Sequence, residues 1–549
     1  MPILAIPTPS RSRHAVRGVP QRLAPARACG ALAVLFAAAC GAATNGGPDG
    51  EVPPGRDGAP PDRRDAQVGP LPEVSCPDEP PLVDTSSPSQ GVGDGSPASC
   101  TAEALGTAVS AGGVITFACG GEHTIELREA LSVTADTVLD GGGEITLSGR
   151  GRSRILELRG PPDADTPRLT VQRLTFIDGR GPSSGDDVER GGGAIFRFGG
   201  SLTVLDSTFR GHRIAERGPD VAGGAIYSRG GGTTLIARST FTSNRGANGG
   251  AIGSLVAGLT LLNVSLVGNA ATGQGAAAGN GGVGGAIYID GAEEATVLCG
   301  VAIRDNDANA IGGGLFRVSN TGTGTFRMDA STIRDNRAPD NGSSIAGGLY
   351  LQGLDVAIAA STIAGNEARF AGGLYYGPGC RGSVTNTTIA GNTALSSLGG
   401  GAVFDGSPSG LFLNVTFANN RAPGPEAFAG ATVGSGVTFR NVVIDGHEAG
   451  NDFTPISCLD RLDNGGGNVQ WPVQRAGGGS DDPDALCTNG ILVQDPQLGP
   501  LADNGGPTPT LLPAAASPAV GRGVDCPSTD QRGEPRRRGA CTSGAVEVP

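Results

Sequence analysis

GGAIYSRGGGTTLIARSTFTSN, residues 223–244, has a near copy of its landmarks in GGLYLQGLDVAIAASTIAGN, residues 347–366. Both spell a glycine pair, an aliphatic residue beside an aromatic one, a short β-branched run, Ser-Thr before an apolar residue, and an asparagine three residues beyond that apolar residue. Taking this last apolar residue as a marker gives Phe176, Phe209, Phe241, Leu266, Ile303, Ile333, Ile363, Ile389, Phe417 and Ile444, at intervals of 25 to 37 residues. A floor near 25 with variable excess describes a fixed unit that accepts loops, and the insertions fall largely after the asparagine. The apolar runs are short and broken by Gly and Asn, so no crossover helix fits between them. The pattern predicts an all-β chain wound as a right-handed single-stranded parallel β-helix, one short strand per side. A leucine-rich horseshoe would need a Leu-x-x-Leu-x-Leu motif that is absent, and a propeller would need four strands in each unit.

Composition agrees. Glycine supplies 95 of the 549 residues, against 5 Tyr and 1 Trp, which suits a thin core of small stacked side chains. The formal charge is −13, and it becomes −18 once the five arginines before residue 40 are set aside. Such a surface repels phosphate, so nucleic acid is not an expected partner. All 40 basic residues are arginine, a bias we read as genomic rather than chemical.

Residues 1–39 read as a signal peptide: Arg11, Arg13, Arg17, Arg22 and Arg27 precede the apolar run ALAVLFAAAC, which is too short to span a bilayer. FAAAC resembles a lipobox, with Cys40 as the lipidated residue, so the expected location is the cell surface or outer membrane, with the membrane engaged through that lipid; plain secretion is the alternative. Residues 40–99, rich in Pro, Gly and Asp, read as a disordered tether. Residues 100–160 read as an N-terminal cap and first rungs, opening on a short amphipathic helix with Ala104, Leu105, Ala108 and Val109 on one face. Residues 161–457 hold the repeats, and 458–549 form a C-terminal region. Export permits disulfides, and the close pairs Cys100–Cys119, Cys458–Cys487 and Cys526–Cys541 are expected, the last two closing a C-terminal cap over the final rung. Cys76, Cys299 and Cys380 are left over, and the odd count leaves at least one thiol unpaired. No zinc-ligand spacing and no cofactor motif is present.

Stacking turns each motif position into a column. Asn244, Asn269, Asn306, Asn336, Asn366, Asn392 and Asn420 form one, with His212 and His447 at the same position in the flanking units. An amide both donates and accepts, so a structural asparagine ladder is expected. Phe196, Tyr227, Tyr288, Phe316, Tyr350, Tyr375 and Phe404 form an aromatic column with a gap at Gly253. Alternation along a strand does not say which face is outside. The column is therefore either internal packing or an outward strip for a glycan or a cell-surface protein. Enzymes on such folds gather acids and arginines from adjacent rungs, and the local candidates are Asp305 and Asp335 with Arg304 and Arg334 beside them. They recur at equivalent repeat positions, so a solvated charge ladder is the simpler reading.

The glycine pair with AIY, and FTSN at 241–244 or FANN at 417–420, resemble the GGAI and FxxN repeats of chlamydial polymorphic outer-membrane proteins, which are surface adhesins. The tail QDPQLGPLADNGGPTPTLLPAAASPAVGRG from Gln494, with CPSTDQRGEPRRRGACTSGAVEV from Cys526, resembles the choice-of-anchor Q domain of bacterial surface β-helix proteins. The resemblance implies an exported adhesive or structural rod. A polysaccharide lyase or glycoside hydrolase acting on an acidic or surface glycan is the alternative.

Overall fold

The computed structural model describes residues 73–275, 280–339, 341–342, 344–478 and 482–548. They form a right-handed parallel β-helix. All ten markers lie in one column, each paired directly with the marker of the next turn. The column runs on to Leu147 and Ile125 at one end, and to Gln470 and Val493 at the other, past the expected repeat boundary at 457. Where three markers in a row are phenylalanine, the rings stack inside the coil at 4.7 Å, nearly parallel.

Each turn has three sides. The longest carries the marker strand and, before it, a second strand separated by a bend. Opposite lies an 11-stranded parallel sheet that follows the glycine pairs. The third side is only two residues wide, as in Arg245–Gly246 and Ala270–Ala271. The glycine corner needs its glycines because turns approach so closely: a Cβ on Gly224 would sit 2.0 Å from the Gly250 carbonyl oxygen.

The asparagine ladder closes the corner after the marker strand. Asn244 through Asn420 are fully buried. In each of six successive steps the backbone N–H and the side-chain Nδ2 of one asparagine donate to the same Oδ1 of the next, at 2.9–3.1 Å. The second Nδ2 hydrogen is donated to the marker carbonyl of the preceding turn, at 2.8–3.1 Å. Each interior amide thus meets its bonding capacity, which is the condition for burying it.

Histidines stand at both ends. His212 Nδ1 accepts from the Gly179 N–H at 2.8 Å, and Nε2 donates to the Phe176 carbonyl at 3.1 Å, so the ring copies the two jobs of an amide. His447 Nδ1 accepts from the Asn420 N–H at 3.1 Å. Burial drives the two imidazoles from 6.5 down to about 3 and about 4.

Helix α1 (Ala102–Ala111) covers the first turn, capped by Thr101 and burying Leu105, Ala108 and Val109. All three expected disulfides are present, and Cys76–Cys299 is a fourth. Cys380 is a free, buried thiol. Burial pushes it up to about 11, so it is unreactive near neutrality.

Two expectations change. The tether does not extend to Ser99: from Glu73 onward the chain is fastened to the flank of the coil, while residues 40–72 lie outside the described residues. The tail also does more than close the last turn. Cys458–Cys487 secures that end, but residues 508–545 fold back along the flank over four turns.

Both straps use the same bend of the long side, at the position three residues before the marker, where the backbone is left-handed. Val74 and Asn263 exchange two hydrogen bonds, at 3.0 and 2.8 Å, and Val524 and Asn441 do the same at 2.8 Å each. Gln172, one residue earlier in its unit, holds Val83 in the same way at 2.9 and 3.0 Å. Asn386 and Asn414 take the carbonyls of Thr529 and Thr542. A side-chain amide facing an otherwise bare strand backbone supplies both halves of a missing ladder step. The N-terminal strap ends at Asp140, which accepts from Thr85 and Arg173. Burial alone would raise this carboxyl, yet those partners hold it down at about 2.

The histidine ends generate a pH prediction. The fold accepts only neutral His212, whereas the unfolded chain binds a proton below 6.5. Stability from this group is complete above 6.5 and is lost as pH falls toward about 3. His212→Asn restores the ladder residue and is expected to remove about 1.4 kcal/mol per pH unit from the slope of unfolding free energy across that window. Denaturant titrations of both proteins at several pH values check this. An unchanged slope contradicts the assignment.

Candidate functional site

The aromatic column is the first candidate, and its neighbours decide its role. Ile226 points into the coil and Tyr227, next along the strand, points out of it, yet Tyr227 is fully buried. Loops leaving the ladder corner return across this face and lay Ala222, Val283, Ile311, Ile345 and Phe370 over the rings. Phe196, Tyr227, Tyr288, Tyr350 and Tyr375 are all buried, and Phe316 is half-buried. Rings of Tyr288, Phe316, Tyr350 and Tyr375 stack at 5.7, 5.0 and 4.5 Å. The hydroxyls of Tyr350 and Tyr375 donate to Gln352 and Asp405 at 2.8 and 2.5 Å.

No ring face is open to a sugar, so the column is a second core and not a binding strip. Phe404 does not belong to this column. It pairs with Tyr376, while Val403 pairs with Tyr375, so Phe404 points into the main core. A one-residue offset in a strand changes sides.

Asp305 and Asp335 occupy left-handed turn positions immediately before ladder asparagines. Arg304 Nη1 lies 3.1 Å from Asp305 Oδ2, and Arg334 Nε donates to Asp335 Oδ2 at 2.7 Å. These are half-exposed pairs between sequence neighbours, repeated in adjacent turns. Each acid serves its turn and its own arginine, so the geometry gives the charge-ladder reading. Cys40 and residues 1–39, expected to be a signal peptide, lie outside the described residues.

What the structure assembles, and sequence reading passed over, is on the narrow third side. The residue after each ladder position points outward, and these residues form a column of their own: Arg180, Arg213, Arg245, Ala270, Asp307, Arg337, Glu367, Thr393, Arg421 and Glu448. Through its later part acid and base alternate. Arg337 lies 3.8 Å from Glu367, and Arg421 donates to Glu448 at 2.7 Å.

The first three turns present arginine only. Their backbones are pinned by bonds from Arg213 N–H to the Gly179 carbonyl and from Arg245 N–H to the His212 carbonyl, both 2.9 Å. With Arg190, Ile214, Glu216 and Arg217 they line an open cavity of about 620 Å³. Arg190 is held by Asp187 at 3.0 Å. Arg180, Arg213 and Arg217 are exposed and make no ion pair among the described residues. A neighbouring cavity of about 470 Å³ shares Arg180 and Arg213 and adds Asp178 and the ion pair of Arg150 with Glu126, 3.1 Å. The signal was present in GR at 179–180, GHR at 211–213 and SNR at 243–245, each an arginine just past a ladder position.

No protein-family model matches this chain, and no curated protein matches it either.

The packing role of the aromatic column predicts the outcome of Tyr350→Ala. Removing a buried, doubly stacked ring is expected to cost about 3–5 kcal/mol, seen as a lowered unfolding midpoint. A variant as stable as the parent would return the column to the surface.

Proposed function

We propose that this chain is an exported, non-catalytic β-helix rod, held to a membrane by a lipid on Cys40, with an adhesive or structural role outside the cytoplasm. The observation that carries this reading is the disulfide set. Cys76–Cys299 joins residues 223 apart and fastens the N-terminal strap, and Cys526–Cys541 braces the C-terminal one. Closing the larger loop removes about 5 kcal/mol of unfolded-chain entropy, a gain that holds only in an oxidising compartment. Straps along both ends of one flank suit a rod that must keep its shape without chaperones. The engagement of Asp305 and Asp335 by their own arginines supports a role without turnover. So does the resemblance of the repeats and tail to surface β-helix proteins, in which display rather than catalysis is the common theme.

One observation favours the second reading, a lyase or hydrolase acting on an acidic glycan. The arginine groove would neutralise sugar carboxylates, as such an enzyme requires. Incubation of the purified protein with acidic polysaccharides separates the two. The rod reading expects no unsaturated product and no new reducing ends, and release of either overturns it. Palmitate labelling in a bacterial host is expected for the parent and not for Cys40→Ala, and equal labelling removes the lipid from the account.

A further inference from the structure

One column of this coil solves its charge problem in two different ways. From Asp307 to Glu448 the outward residues of the narrow side alternate in sign or fall to threonine, and two cross-turn pairs form. From Arg180 to Arg245 every outward residue is arginine, and Arg180 and Arg213 make no ion pair among the described residues. Neighbours in a parallel pair lie about 4.8 Å apart, and like charges at that spacing repel. A protein with a formal charge of −13 has acids to spare, and across the rest of this side it uses them. Here it places Arg217 beside the row instead, and the acids lining the two cavities or reaching them are Glu216 on the rim, Asp187 already committed to Arg190, and Asp178 and the Arg150-paired Glu126 in the adjoining cavity.

The geometry points to a binding site for an anionic polysaccharide laid along the rod axis, its carboxylate or sulfate groups taken on successive turns by Arg180 and Arg213, with Arg217 closing from the side. The inference deepens the adhesive reading above and rests on it. Guanidinium is suited to both anions because its planar donors meet two oxygens at once. Parallel bridges join the backbone beneath the row turn by turn, so it matches a polymer with a regular repeat better than a single small anion. Ile214 and Ala215 give the groove an apolar floor against which the carbon face of a sugar ring can rest. A nucleic acid would bring the densest phosphate charge to the acidic body of the protein, and three turns are too short a row to offset that repulsion.

The test uses the full chain with four probes: size-defined oligogalacturonate, a heparin-derived oligosaccharide, neutral dextran, and a single-stranded oligodeoxynucleotide. Titration calorimetry at two salt concentrations is expected to show salt-sensitive binding of one or both acidic oligosaccharides and none of dextran. The triple variant Arg180→Gln, Arg213→Gln, Arg217→Gln is expected to weaken that binding more than about tenfold while unfolding no earlier than the parent, because repulsion has been relieved. Arg337→Gln with Arg421→Gln, on the charge-paired stretch of the same column, is expected to leave binding within about twofold. Failure of both acidic sugars to bind, equal binding by the triple variant, or tighter binding of the oligonucleotide each overturns the site. None of these outcomes touches the non-catalytic reading, which falls only if bound sugar is cleaved.

Discussion

The structure depends on like residues lying directly over like, one turn above another. A single turn of this coil cannot fold alone, since its side chains would face water and its backbone groups would have no partners. Register solves both at once. It places a marker over every marker, so that apolar side chains form one continuous core. It also places asparagine over asparagine, so that an amide too polar to bury by itself becomes part of a satisfied chain. A slip of one residue would turn the markers outward and bring the ladder to an end.

The period and the register were readable because each repeats. Ten markers and seven asparagines chosen from sequence all stand in their columns, as do the three disulfides between close cysteines. What could not be read locally was what covers a column. Tyr227 and Tyr350 face away from the coil, as a binding strip would, and only loops of irregular length returning across them make a core of that face. The offset at Phe404 arose because LYY and AVF place their aromatic residues differently after the glycine pair. The straps left almost no signal of their own, since EVSCPDE at 73–79 has the composition of a linker. Their receptors were in view as Asn263, Asn386, Asn414 and Asn441, a second asparagine column three residues before the marker. One column is needed to close a corner, and two imply that something lies against the second.

The same logic explains how the arginine row was missed. Arginine is the chain's only cation, so its presence at any one site says little. Its meaning lies in the contrast between two parts of one column, and that contrast appears only when the turns are laid in register. Stacking makes this coil a device for spacing charge: whatever side chain is repeated at one position becomes a straight row with the pitch of a β-sheet.

Disulfide trapping between positions of the marker strands tests the register most directly. Residues 304 and 334 pair across one step, about 4.8 Å apart, whereas 242 and 304 are separated by an intervening turn, about twice as far. With the native disulfides intact, the account predicts that Arg304→Cys with Arg334→Cys forms a bond under mild oxidation and that Thr242→Cys with Arg304→Cys does not. Equal trapping of the two pairs, or trapping of the second alone, would contradict it.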